Sequence, residues 1–309
     1  MRNTCLNEVH QLARKNKNIV FIGSDLGAGT LASMKEEMPD RFFMEGISEQ
    51  HIIGMSAGLA MEGFIPYVNS IAPFLTRRCY EQVLVDLCLH DLPVRLIGNG
   101  GGTVYAPLGP THLAVEDIAI FRAIPNMTIV APCDAQEMAR LMPKTVDWPH
   151  PIYIRLAKGG DKVVSKNDLG FEIGKAILMR RPKDGLFITT GVMTQKALEA
   201  SEQLLKVGIE CGVLHMHTVK PLDHAALEDL IPEVKAVVTV EEHFRIGGLG
   251  SAVLESCSDL IPEHTSKITR VGIPDKFADK YGTQDSLLEY WGITVDSIKN
   301  AMLQKLKTK

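Results

Sequence analysis

The sequence predicts an α/β protein of two tandem domains, each a mostly parallel sheet flanked by helices. Short apolar runs rich in Val and Ile recur from end to end, as strands covered on both faces do. Segments with helical spacing separate them, which is the connection that parallel strands require. The 309 residues exceed what one core usually holds, so two units of about 150 are expected.

In the first half the strand-length runs are NIVFIGSD (18–25), IPYVNSI (65–71), VRLIGNG (94–100), MTIVAPC (127–133) and PIYIRLA (151–157). Helices are expected at 49–62, 75–90 and 134–142, the last opened by Asp134 as N-cap. The stretch 158–185 is rich in Gly, Lys and Asp, with one short amphipathic piece near 171–181. It reads as a connector, so the first domain is placed at 1–165, the linker at 166–184 and the second domain at 185–309. A second alternating series follows, with strands at 186–191, 210–219, 236–242 and 267–274. Helices are expected at 193–206, near 223–231 and at 250–258, with a helical tail over 285–306.

The composition excludes several partners. A net charge of −4 gives no basic footprint for nucleic acid or anionic membrane. No apolar run reaches 18 residues and the polar N-terminus lacks a signal-peptide core, so a cytoplasmic protein is expected. The six cysteines form no CxxC pair, which points to reduced, buried thiols rather than metal ligands.

Four stretches invite chemistry. In GISEQHIIGMSAGLAM, Glu49 opens a small-residue apolar helix, either as a cap or as a working acid/base. RIGGLGSAV resembles a phosphate loop, but it lacks both GxGxxG spacing and GK[ST], so a tight strand-to-helix turn is the better reading. GNGGGTVYAPLGPTHLA (98–114) is a long glycine-rich loop after a buried strand, where open α/β sheets bind ligands, and it closes on His112. His215 and His217 share one side of a strand with no third metal ligand in view. In SIAPFLTRRCYEQV, Phe74, Arg77 and Arg78 follow a strand end, and spacing alone reads them as a packed first helical turn.

Taken in order, GISEQHIIGMSAGLAMEGFIPYV, FLTRRCYEQV, LPVR, GPTH, FRAIPNMTIVAPCDAQEM and PIYIRLAKG resemble the pyrimidine-binding domain of transketolase and deoxyxylulose-phosphate synthase. ITTGVMTQKALEA, HTVKPLD and VEEHFRIGGLGSAV resemble the C-terminal domain of the same thiamine-diphosphate superfamily. The resemblance covers essentially the whole chain. It implies that Glu49 hydrogen-bonds the aminopyrimidine of thiamine diphosphate in a setting made apolar by Ile47, Ile52 and Ile53, with Ile47 at the cofactor. Phe74 is implied to stack on the pyrimidine ring. His112 is implied to contact substrate and move protons during carbon–carbon cleavage, and Arg77 to lie on the substrate side. Lys158 falls where relatives carry an arginine for a substrate phosphate, and Leu108 where they carry an aspartate for a substrate hydroxyl.

The resemblance further implies a half-enzyme. The superfamily anchors the diphosphate through Mg²⁺ on Gly-Asp-Gly and a later Asn, and GSDLGAG (23–29) does not match that pattern. Mg²⁺ is therefore expected on an N-terminal partner subunit, in an α2β2 heterotetramer. The chain alone is expected to fold, as a homodimer through helix 49–62, and to be inactive. A split transketolase acting on sugars or sugar phosphates fits best, and the alternative is the beta subunit of a 2-oxo acid dehydrogenase or another thiamine-diphosphate enzyme.

Overall fold

The computed structural model describes residues 1–24 and 29–307, and two sheets organise them. The first half runs α1 (Arg2–Lys15), β1 (Ile19–Gly23), α2 (Ala32–Glu37), β2 (Phe42–Met44), α3 (Glu49–Met61), β3 (Ile65–Ile71), α4 (Ala72–Thr76) and α5 (Tyr80–Gln82). It continues with β4 (Arg95–Asn99), α6 (Asp117–Arg122), β5 (Thr128–Val130), α7 (Ala135–Thr145) and β6 (Ile152–Leu156). The second half holds β7 (Ile177–Arg180), β8 (Gly185–Thr189), α8 (Met193–Leu205), β9 (Cys211–His215), β10 (Thr218–Lys220), α9 (His224–Leu230), β11 (Ala236–Phe244), α10 (Leu249–Leu260), β12 (Ile268–Ile273), α11 (Gln284–Tyr290) and α12 (Val295–Lys307).

The first sheet has the order β10-β5-β6-β4-β3-β1-β2 and the second β12-β11-β8-β9-β7. Among the described residues, only the edge strands β10 and β7 pair antiparallel, with β5 and β9. Every residue of β1, β4, β6, β8 and β9 is buried, which is why these strands read as unbroken apolar runs. Each sheet is covered on both faces. On one face of the first sheet α1 sets Leu6 and Val9 against Met138 and Leu141 of α7, and on the other Ile52 and Ile53 pack with Val68 and Leu75.

Three expectations are corrected. The chain leaves the second sheet after His215, and β10 crosses to the edge of the first, so the two domains share a sheet. The amphipathic piece inside the connector is the strand β7. The tail is two helices, because Gly292 takes φ +70 and Thr294 caps a new start, accepting from the Ser297 amide at 3.1 Å. Asp134 caps α7 as expected, accepting from the Glu137 amide at 2.9 Å. All six cysteines are free and buried. Among the described residues, no helix is long and apolar enough to cross a membrane.

The first sheet offers a favoured place for a ligand. The strand order reverses at β1, whose neighbours β2 and β3 both follow it in the chain. Open α/β sheets bind ligands outside the strand ends at such a switch point.

Candidate active site

Glu49 sits at that switch point. Side chains in a helix tilt toward its N-terminus, so a first-turn carboxylate is carried past the helix end to the strand termini. There Glu49 is 2% exposed. Its Oε1 accepts from Ser24 Oγ at 3.2 Å, just past β1, and from Ser70 Oγ at 3.3 Å, near the end of β3. Its Oε2 accepts from Arg78 Nη1 at 2.7 Å. The expected apolar setting is thus a polar one. Ile52 and Ile53 stay in the core one turn on, and Ile47 is 73% exposed.

The helix expected over 75–90 is broken, and the break equips the site. Pro73 lies in the first turn of the short α4, Arg77–Cys79 form turns, and Val83–Cys88 make a π-helical stretch in which the Leu89 amide bonds back to Leu84. Both arginines of the turn are engaged. The Arg78 guanidinium lies 4.0 Å over the Phe74 ring while it holds Glu49. Arg77 donates to the Thr111 carbonyl at 2.7 Å and pairs with Glu116 at 2.8 Å. Burial raises the proton affinity of Glu116, and Arg77 opposes it.

His112 closes the arrangement. Its ring meets Phe74 edge-on, with centroids 5.2 Å apart, and its Nδ1 lies 2.9 Å from Thr111 Oγ1. A groove of about 570 Å³ opens over Phe74, Arg77, Arg78 and Thr111, walled by Phe277 from beyond β12. Phe277 is 87% exposed. Nothing in the sequence marks Phe277, whereas the tandem Arg77-Arg78 after an aromatic was a readable signal that spacing alone assigned to packing.

Lys158 does not line that groove. It shares a separate cavity of about 230 Å³ with Leu108, Asn99, Tyr105 and Arg2, beside the carboxyl ends of β4 and β6. Glu49, Arg78, Phe74 and His112 therefore form one contiguous set, with Arg77 at its edge. Lys158 and Leu108 form a second, and Ile47 joins neither.

The remaining motifs resolve into structure. The turn RIGGLGSAV is occupied by the protein's own carboxylate, since Glu241 accepts from the Leu249 and Gly250 amides at 2.7 and 2.9 Å. Burial still pushes Glu241 up to about 7 against those two amides. His215 finds acidic company after all: its Nε2 lies 2.8 Å from Glu137, with Cys133 close by in the one group of possible metal ligands among the described residues. Glu137 also accepts from the Cys133 amide at 2.6 Å, and none of the three side chains reaches solvent. That is a buried cap and pair joining α7 to β9. Most of GSDLGAG, residues 25–28, lies outside the described residues.

The comparisons agree with this architecture. Residues 1–160 match the family model of the transketolase pyrimidine-binding domain, and residues 174–298 that of the transketolase C-terminal domain. The chain is 36% identical over 299 residues to one of the subunits of an apulose-4-phosphate transketolase from Phocaeicola vulgatus, covering 96% of this chain and 94% of that one. It is also 36% identical over 303 residues to a subunit of a 6-deoxy-6-sulfo-D-fructose transketolase from a Clostridium species, covering 97% and 92%. A solved split-gene transketolase, described as an inactive β4 tetramer, superposes with a TM-score of 0.91 at 34% identity, covering 100% of this chain and 98% of that one. With both domains matched and these relatives aligned almost from end to end, the chain belongs to the transketolase family and is built as its split, C-terminal kind of subunit.

Proposed function

We propose that this chain supplies the pyrimidine-binding half of a two-subunit transketolase, transferring a two-carbon ketol unit from a ketose to an aldose. The observation that carries the reading is the buried Glu49 carboxylate, set at the β1/β3 switch point beside a groove that also exposes Phe74. Thiamine diphosphate, when bound, supplies the carbanion chemistry. The residues present suit its pyrimidine half: a half-buried aromatic face, an open groove and a buried carboxylate bound to the groove-lining Arg78. Phe74 would take the ring and Glu49 would hold a proton at a ring nitrogen. His112, on the rim beside Phe74, would exchange protons with a substrate oxygen, and Arg77 holds the loop that presents it.

Lys158 and Arg2 would receive an anionic group at the far end of the sugar, with Leu108 giving that cavity an apolar wall. The relatives' names support an anionic tail, since one acts on a sugar phosphate and the other on a sulfo-sugar. Mg²⁺ and the diphosphate fall to an N-terminal partner subunit in an α2β2 assembly in the cytoplasm. The description of the solved β4 relative as inactive agrees with a half-site that lacks its partner. A ketol-transfer assay with thiamine diphosphate, Mg²⁺ and the partner subunit, run against pyruvate decarboxylation, tests the reading. Turnover of sugars supports it, and turnover of pyruvate alone rejects it.

A further inference from the structure

The loop that carries His112 is braced from the other domain. Gly102 and Ala114 exchange both backbone hydrogen bonds, at 2.8 and 3.0 Å, closing a neck around residues 103–113. Inside the loop, turns link every third residue: Ala106 donates to Thr103, Gly109 to Ala106 and His112 to Gly109, at 2.9, 3.1 and 3.0 Å. The position of Thr103 is thereby passed along one ladder to His112.

Thr103 is in turn held by Glu242, on β11 of the second sheet. One carboxylate oxygen accepts from the Thr103 amide at 2.8 Å and from its hydroxyl at 2.6 Å. Gln284 of α11 donates to both Glu242 oxygens at 3.0 Å, fixing the carboxylate's orientation. Arg155 donates to the Ala114 and Glu242 carbonyls, both at 2.9 Å, and the Phe244 amide donates to the Val115 carbonyl at 2.7 Å. The fit leaves no slack. Gly102 stands at φ +70, and a Cβ there would fall 2.4 Å from the Glu242 carboxyl carbon.

We propose that Glu242 is the positioning residue for His112, so that the C-terminal domain sets the geometry of a site to which it lends no reactive group. The proposal rests on the reading of His112 given above. Glu242 itself is 2% exposed and lines neither the Phe74 groove nor the Lys158 cavity. Without it, a buried amide and hydroxyl lose their acceptor and the foot of the ladder is free to shift.

The test compares Glu242→Ala, Glu242→Gln, His112→Ala and the double variant Glu242→Ala/His112→Ala. Hydrogen exchange in the isolated chain should quicken over residues 103–115 in Glu242→Ala, and less so in Glu242→Gln, which keeps one acceptor oxygen for Thr103. In the complex with partner, thiamine diphosphate and Mg²⁺, Glu242→Ala should lower kcat about 100-fold, the cost of a misplaced catalytic group. KM and the exchange rate of the cofactor's thiazolium proton, which depends on Glu49, should hold. The double variant should be no slower than His112→Ala alone. Unchanged loop exchange, or losses that multiply in the double variant, overturns the proposal. If Glu242→Ala fails to fold, Glu242→Gln decides on the same two readouts. Full activity in His112→Ala would instead reject the reading of the site, while loop exchange still judges the brace.

Discussion

Arg78 and Glu49 form an ion pair of 2.7 Å beside the groove, with the arginine half-exposed and the carboxylate buried. The same guanidinium covers the Phe74 ring, the surface proposed to take the pyrimidine. In the isolated chain the protein thus satisfies its own buried carboxylate, and a ring stacked on Phe74 has to displace Arg78 from that face.

Among the described residues, removing Arg78 leaves Glu49 with two long hydroxyl contacts. Arg78→Ala should destabilise the isolated chain by about 1–2 kcal/mol near neutral pH, discounted for the arginine's exposure from the several kcal/mol of a fully buried pair. The loss should vanish in a Glu49→Gln background. A double-mutant cycle by chemical denaturation reads the coupling directly.

Glu49→Gln should remove ketol transfer by a factor of about 10³, the range of a lost acid/base group, while the far-ultraviolet spectrum stays native. Retained turnover in that variant would dismiss Glu49 as the acid/base group and return it to the role of a helix-terminal ion pair.

Lys158→Ala should raise KM about tenfold for substrates that end in phosphate or sulfonate, the worth of one charge-assisted hydrogen bond. Neutral sugars should be unaffected. An equal change for both classes would place the cavity of Lys158, Arg2 and Leu108 outside the substrate path.

Much of this was legible in the sequence, and the exceptions share a cause. Strands buried on both faces announce themselves through unbroken Val and Ile runs. Motif order pointed to Glu49, Phe74 and His112, and the fold brings the three together around Arg78. What stayed hidden depends on contacts between residues far apart in the chain. Ser24 and Ser70 are unremarkable until the reversal at β1 brings both strand ends to Glu49. Arg78 spaces like a helical surface residue, and only its contacts with Glu49 and Phe74 reveal the broken helix. The three residues of β2 are too few to show a period, and the exchange of β10 between sheets has no local signature. Glu242 belongs to a run that reads simply as strand, and its bond to Thr103 spans 139 positions.

His217 offers a pH test of the domain junction. Its ring stacks on Phe171 at 4.0 Å, and burial pulls its pKa down to about 3 from 6.5. The unfolded chain binds this proton below pH 6.5 and the folded chain does not, so stability falls as pH drops from 6.5 toward 3. His217→Asn should flatten the stability–pH slope in that window by about 1.4 kcal/mol per pH unit, the value of one proton. An unchanged slope in urea titrations across the same window would mean that His217 protonates freely in the folded state.

The half-site reading meets its most direct test in calorimetry of thiamine diphosphate, with and without Mg²⁺, titrated into the isolated chain and into its complex with the N-terminal subunit. Binding to the isolated chain should be weak and indifferent to Mg²⁺, because in the proposed division Glu49 and Phe74 take only the pyrimidine half of the cofactor. The complex should bind tightly and only with the metal. Tight, Mg²⁺-dependent binding to the isolated chain would contradict the division of the cofactor between two subunits.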